Sequence, residues 1–156
     1  MRLRLVAIGK LKSSPESDLV ADYTHRFNKL GRSLVLGPMQ LIELEDRRSI
    51  GKSHEASLIL RAIPKDTILV ALDEKGAQTS SVAFASFLAA HSTDGHKSMT
   101  FVIGGANGLD ASVTERCSHL LSFGKMVWPH KLVRVMLTEQ LYRAATILAG
   151  TPYHRP

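Results

Sequence analysis

Apolar positions along this chain fall into two rhythms. Leu3, Leu5, Val6 and Ile8 form a short run that predicts a strand over Leu3–Ile8, ending at Gly9. Ser14-Pro15-Glu16 then has the marks of a helix start: a capping hydroxyl, a proline at the first helical position and an acid near the positive end of the helix dipole. Leu19, Tyr23 and Phe27 recur at i, i+4, i+8 on one helical face, and Gly31 is the stop. A second strand is expected within Ser33–Leu44, broken by Gly37-Pro38, and the charged stretch Glu43–Lys52 reads as a mobile loop. A helix from about Ser53 turns Ala56, Ile59, Leu60 and Ile63 inward and stops at Pro64.

Thr67–Leu72 is almost wholly apolar, as a strand covered on both sheet faces should be. Ser81–Ala90 reads as a helix, Met99–Ile103 as a strand, and Asp110–Leu121 as a helix capped by Asp110. The short apolar run Met126–Trp128 completes five strands. Leu132–Ala149 is a long final helix, closed by Gly150 and Pro152. Strands and helices alternating from end to end predict a single α/β domain over residues 1–156, with a mostly parallel sheet flanked by helices. Ligands in such folds gather beyond the C-terminal ends of the strands.

Composition narrows the functional classes. Of 156 residues, 44% are hydrophobic and 22% charged, which excludes a disordered chain. No apolar run is long enough to span a bilayer, and the opening residues alternate instead of forming a secretory apolar block. Cys117 is the single cysteine, so neither an intramolecular disulfide nor a cysteine metal cluster is available, and a cytoplasmic location is expected. The net charge of +6 suits a polyanionic partner such as RNA without requiring one. No metal site is expected, since no H-E-x-x-H stands in the sequence.

Three loops and the last residues carry the candidate chemistry. Leu72-Asp73-Glu74-Lys75-Gly76 follows the third strand and, alone, reads as a surface turn. Ile103-Gly104-Gly105-Ala106-Asn107-Gly108-Leu109 follows the fourth, where paired glycines let a ligand approach the backbone. It is neither a dinucleotide fingerprint nor a phosphate loop. The stretch Phe123–Lys131 contains Trp128-Pro129-His130, in which Trp128 is equally an aromatic packing anchor. On the final helix Glu139 and Arg143 stand i, i+4 in the order that favours an ion pair. Tyr153, His154 and Arg155 offer stacking, proton transfer and phosphate binding at the very end.

In their order, these segments resemble one family. Leu72-Asp73-x-x-Gly76, Phe101-Val102-Ile103-Gly104-Gly105-x-x-Gly108-Leu109, Pro129-His130-x-Leu132-x-Arg134-x-x-Leu137-x-Glu139-Gln140-x-Tyr142-Arg143-Ala144 and Pro152-Tyr153-His154-Arg155 are similar to the bacterial large-subunit ribosomal RNA methyltransferases H, of the SPOUT superfamily. The resemblance covers essentially the whole chain, including the Gly9-Lys10-Leu11-Lys12 turn. It implies S-adenosylmethionine as cofactor, ring nitrogen 3 of a pseudouridine as target, a homodimer and a C-terminal trefoil knot. It also implies that Leu72, Gly104, Gly105 and the segment Phe123, Gly124, Lys125, Met126, Val127, Trp128 line the cofactor pocket. Phe123-Gly124 stands where the family commonly has Leu-Ser, Val127 where it has Thr, and Lys131 where it has Gln.

On this reading Tyr153, His154 and Arg155 hold the target base and its phosphate, with His154 as a general base. Arg2, Arg4, Lys10, Lys12, Lys125, Lys131 and Arg134 are candidate contacts to ribosomal RNA or the assembled ribosome. Two other readings stand beside it: a non-catalytic RNA-binding or ribosome-associated protein, and a nucleotide-binding α/β enzyme. S-adenosylmethionine binding separates the methyltransferase from the first, and nucleotide competition from the second.

Overall fold

A computed structural model describes residues 1–45 and 51–155. The central part of the expected charged loop, residues 46–50, lies outside the described residues. The elements run β1 (Arg2–Ile8), α1 (Pro15–Gly31), a short 3-10 turn (Arg32–Leu34), β2 (Met39–Leu44), α2 (Lys52–Ala62) and β3 (Ile68–Gln78). They continue as α3 (Ser81–Thr93), β4 (Ser98–Ile103), α4 (Ala111–Thr114), β5 (His119–Ser122) and α5 (His130–Leu148). The five strands form one sheet in the order β2-β1-β4-β3-β5, and every pairing is parallel.

Side chains alternate across this sheet and bury it on both faces. Leu3, Leu5 and Ala7 of β1, with Met99, Phe101 and Ile103 of β4, meet Phe27 of α1, Phe84 and Leu88 of α3, and Leu137, Leu141 and Ala144 of α5. The opposite face sends Val6, Ile8, Leu69, Ala71 and Val102 against Ala56 and Ile59 of α2 and Val113 of α4. Double coverage is why β1, β3 and β4 read as nearly continuous apolar runs. Thr100, fully buried in the middle of β4, satisfies its hydroxyl against Thr67 Oγ1 at 2.9 Å.

Helix starts follow the sequence signals. The Ser14 hydroxyl accepts from the Ser17 N–H at 3.2 Å, with Pro15 opening α1, and Asp110 accepts from the Ser112 N–H at 3.0 Å. Three expectations need correction. The helix expected over Asp110–Leu121 stops after one turn, and His119–Ser122 becomes β5, because Leu120 and Leu121 find backbone partners on β3. Met126–Trp128 is no strand but an exposed stretch between β5 and α5. The strand expected over Thr67–Leu72 extends to Gln78, so Leu72–Gly76 is not a simple turn after it. Instead Leu121 faces both Leu72 and Ala77, and the residues between bulge outward.

Arg134 also departs from expectation. Its side chain, a candidate RNA contact, is 0% exposed and lies under α5. The guanidinium donates to the carbonyls of Ile8 and Gly9, the latter at 2.8 Å, and pairs with Glu43 Oε1 at 3.0 Å. The same Glu43 oxygen accepts the Leu11 N–H at 2.9 Å. Burial lowers the Arg134 pKa and Glu43 counters it, so the charge persists inside. No helix among the described residues is long and apolar enough to cross a membrane.

Because Arg134 neutralises one carboxylate and bonds two backbone carbonyls, removing it takes the counter-charge from Glu43 and a donor from each carbonyl. Arg134→Ala is expected to destabilise the protein by about 3–5 kcal/mol in urea unfolding. Arg134→Lys recovers only part of the loss, since an ammonium cannot reproduce the planar fork. A change in Arg134→Ala comparable to an ordinary surface substitution would contradict the clamp.

Candidate active site

Parallel strands point their C-terminal ends the same way, so the segments leaving β3, β4 and β5 converge. Between them opens a cleft of about 620 Å³. Leu72, Asp73 and Glu74 come from the bulge of β3, Ile103 through Gly108 from the glycine loop after β4, and Ser122, Phe123, Gly124, Met126, Val127 and Trp128 from the segment after β5. Pro129, His130 and Val133 close it from the start of α5, and Lys52 reaches in from the first turn of α2.

The glycine loop folds by a close approach. The Gly108 N–H donates to the Gly105 carbonyl at 3.0 Å, which turns the chain back over Gly104. A Cβ on Gly104 would fall 2.6 Å from the Gly108 backbone carbon and oxygen, so a side chain there requires the loop to open. A Cβ on Gly105 meets the carboxylate end of Glu55 instead, at 2.9 Å, which a rotation relieves. Ser122 fixes the next wall: its hydroxyl accepts the Gly124 N–H at 3.1 Å, and its one proton faces both the Gly124 carbonyl at 3.0 Å and the Glu74 carbonyl of the β3 bulge at 3.3 Å.

Of the residues expected around the cofactor, the structure brings Leu72, Gly104, Gly105, Phe123, Gly124, Met126, Val127 and Trp128 into this one cleft; Lys125 is exposed and not among the lining. Lys52, Asn107, His130 and Val133 join them without having been singled out for the pocket. Asn107 and His130 stood inside motifs already noted, whereas Lys52 comes from a remote helix and carried no local signal. Burial, followed by the nearby Arg134 and Lys131 charges, lowers the His130 pKa, so its imidazole is neutral at neutral pH.

The last residues sit elsewhere. Tyr153 donates its hydroxyl to Glu139 Oε1 at 3.0 Å, under the Arg143 guanidinium 4.8 Å from its ring, and packs edge-on against Tyr142. Arg143 holds the same Glu139 oxygen at 2.6 Å, which is the i, i+4 ion pair expected on this helix. Burial and the neighbouring Tyr23 and Glu139 push the Tyr153 pKa up, so the phenol keeps its proton. His154 turns Nδ1 toward Arg143 Nη1 at 3.4 Å. Arginine only donates, so Nδ1 is the acceptor in this weak contact. Arg155 is exposed, and none of Tyr153, His154 and Arg155 lines the cleft of its own chain. Arg2, Lys10, Lys12 and Lys131 are exposed and Arg4 half-buried, with Lys10 3.5 Å from Glu45.

Comparison with known proteins then assigns the family. Residues 1–154 match the family described as "Predicted SPOUT methyltransferase". The chain is 51% identical over 155 residues to ribosomal RNA large subunit methyltransferase H of Dinoroseobacter shibae, with 99% of each chain covered. It is 54% identical over 155 residues to the protein of that name from Cereibacter sphaeroides and 51% identical to that from Paracoccus denitrificans, again with 99% of each chain covered. The chain belongs to the SPOUT methyltransferase family. Solved structures resemble it more loosely: the SpoU methyltransferase AviRb of Streptomyces viridochromogenes is 14% identical with a TM-score of 0.46, covering 96% of this chain and 59% of that one. That likeness is too loose to argue from.

The two glycines of this SPOUT cleft make a steric test. Gly104→Ala is expected to cost about 1–3 kcal/mol in urea unfolding, because the new methyl group meets backbone. Gly105→Ala costs less, since only side chains need move. Equal losses at the two positions would show that the loop is not closed over Gly104.

Proposed function

We propose that this protein transfers a methyl group from S-adenosylmethionine to ring nitrogen 3 of a pseudouridine in large-subunit ribosomal RNA. The observation that carries this reading is the cleft: three segments, remote in sequence, meet at the strand ends in a chain of the SPOUT family. Relatives that match nearly the whole chain are named for ribosomal RNA, and a net charge of +6 suits that polyanion. A ribosomal substrate implies a cytoplasmic enzyme.

The residues present fit the cofactor. The cleft volume lies within the range of small-molecule sites. Its walls supply apolar surface from Leu72, Ile103, Met126 and Trp128 for an adenosine, and Gly104 and Gly105 contribute wall without side chains. Lys52 and Asp73 offer charges of both signs for a zwitterionic amino acid. Val127 brings no hydroxyl where the family commonly has one, which matters little where backbone groups hold the cofactor and lowers affinity where the side chain does. When bound, S-adenosylmethionine supplies a methyl group already activated by its sulfonium charge. What remains for the protein is to position the nucleophile and to remove its proton.

An imide nitrogen carries a proton at neutral pH, and His154 is the group assigned to take it. In the described arrangement Nδ1 faces Arg143 Nη1, so that contact must open for this nitrogen to act as base. Tyr153 offers a stacking face and Arg155 a guanidinium for the phosphate or for the anion that forms on the base. Since these residues pack away from the cleft of their own chain, the site is completed by a second copy. Met126 (74% exposed), Val127 (82%), Trp128 (41%) and Leu132 (39%) leave an apolar strip beside the cleft that a homodimer would cover. The trefoil knot of the family belongs to the same proposal.

Isothermal titration with S-adenosylmethionine tests the reading, with ATP and NAD as controls. Selective binding of S-adenosylmethionine, and methylation of ribosomes that falls at least about a hundredfold in His154→Ala, are the expected results. Absence of binding in folded protein free of co-purified cofactor would favour a non-catalytic RNA-binding protein. Full turnover by His154→Ala would remove that residue from the proton transfer.

A further inference from the structure

The methyl-transfer reading leaves the other pole of the sheet without a purpose. There, α3 ends in His91-Ser92-Thr93-Asp94-Gly95-His96, immediately before β4, and His119 opens β5. β4 is six residues long, so this pole lies roughly 20 Å from the cleft.

The local fold gathers these side chains for a physical reason. Gly95 has φ +82°, the left-handed conformation that ends a helix by reversing the chain. The Gly95 N–H donates to the Ser92 carbonyl at 3.3 Å and the His96 N–H to the His91 carbonyl at 3.2 Å, the paired bonds of a Schellman cap. His96 is thereby folded back beside His91, with ring centroids 5.3 Å apart. Phe87, one helical turn before His91, presents its ring edge-on to both His91 and His119, at 4.6 and 4.9 Å. It holds those two imidazoles side by side, 5.6 Å apart.

Each of His91, Asp94 and His96 offers one ligand atom, and these atoms all lie within 4.8 Å of one another. His91 also buries its Nδ1 with no hydrogen-bond partner among the described residues. A buried ring nitrogen normally finds a partner. Solvated surface histidines need neither this gathering nor an orphaned nitrogen.

We propose that His91, Asp94 and His96, with His119 as a neighbouring fourth donor, bind a divalent transition cation of the zinc class. Two or three imidazoles and one carboxylate are the donors that zinc takes, at about 2.0–2.2 Å from each. Tetrahedral ligands then stand about 3.4 Å apart, so the ion draws these atoms in by roughly 1 Å. Asp94 and His96 are exposed and the helix has already ended there, which leaves both side chains free to rotate. Magnesium and calcium, which prefer all-oxygen shells, are poor fits. The ion has no part in methyl transfer. It ties the end of α3 to the start of β5, and by binding only the folded chain it raises stability.

The test uses tag-free, full-length protein stripped with a chelator, titrated calorimetrically with zinc and, as a control, with magnesium. One zinc per chain, no magnesium uptake and a zinc-dependent rise in Tm are expected. His96→Ala and Asp94→Asn should each weaken zinc binding by at least about tenfold and abolish the Tm rise. Both positions are exposed, so circular dichroism should show the variants folded as the wild type. His154→Ala, remote from the cluster, should bind zinc like the wild type. Failure of the wild type to take up zinc overturns the proposal. So do identical zinc isotherms for the wild type, His96→Ala and Asp94→Asn, which would mean that the ion sits on other histidines.

Discussion

A single buried guanidinium decides where the last helix of this protein lies. Arg134 reaches from α5 to the carbonyls that end β1 and to Glu43 on β2, and Glu43 in turn holds the backbone of Leu11. A charge taken wholly out of water is tolerated only when its partners are well placed. Here they come from the end of β1 and from Glu43 on β2, both far from α5 in sequence, so satisfying Arg134 ties α5 to the C-terminal ends of β1 and β2. The first turn of α5 carries His130 and Val133 into the cleft, and its middle carries Glu139, Tyr142 and Arg143, on which the chain's last residues pack. Cleft and final segment therefore both depend on one helix, seated by the Arg134 contacts together with Leu137, Leu141 and Ala144 in the core.

The sheet does the complementary part. Five parallel strands covered on both faces leave their C-terminal ends as a place where loops from different strands meet. The Gly104 turn, the β3 bulge and the exit from β5 come together there, with Ser122 set between the last two. Tyr153, bonded to Glu139 and edge-on against Tyr142, stays with α5 of its own chain. The cleft of one chain includes none of Tyr153, His154 and Arg155 and stands next to an exposed apolar strip. The proposed dimer supplies those residues from its second copy.

Much of this was legible from residues alone because the signals were local. Leu3–Ile8, the Ser14-Pro15 start and the apolar face of α1 need no tertiary information, and the paired glycines at 104 and 105 mark a close backbone approach wherever they fold. Non-local determinants misled. Leu120 and Leu121 fit the inner face of a helix begun at Asp110, and only pairing with β3, some 50 residues earlier, makes them a strand. The apolar Met126, Val127 and Trp128 suggested burial in a strand but line a cleft, since apolar residues serve ligands and partners as well as cores. Arg134 looked like a basic surface residue because its three acceptors are more than 90 positions away. The role expected of the last residues rested on family resemblance, and within one chain they lie outside the cleft.

The central claim, that the cleft of one chain works with the last residues of another, is tested most directly by mixing. A cleft variant such as Trp128→Ala and the tail variant His154→Ala, each inactive as a homodimer, are co-expressed with separable tags and the heterodimer is purified. Methylation of ribosomes is then measured per dimer. Each heterodimer would contain one site with both halves intact, so recovery to roughly half of wild-type activity is expected. Confirmed heterodimers that remain as inactive as their parents would contradict the account.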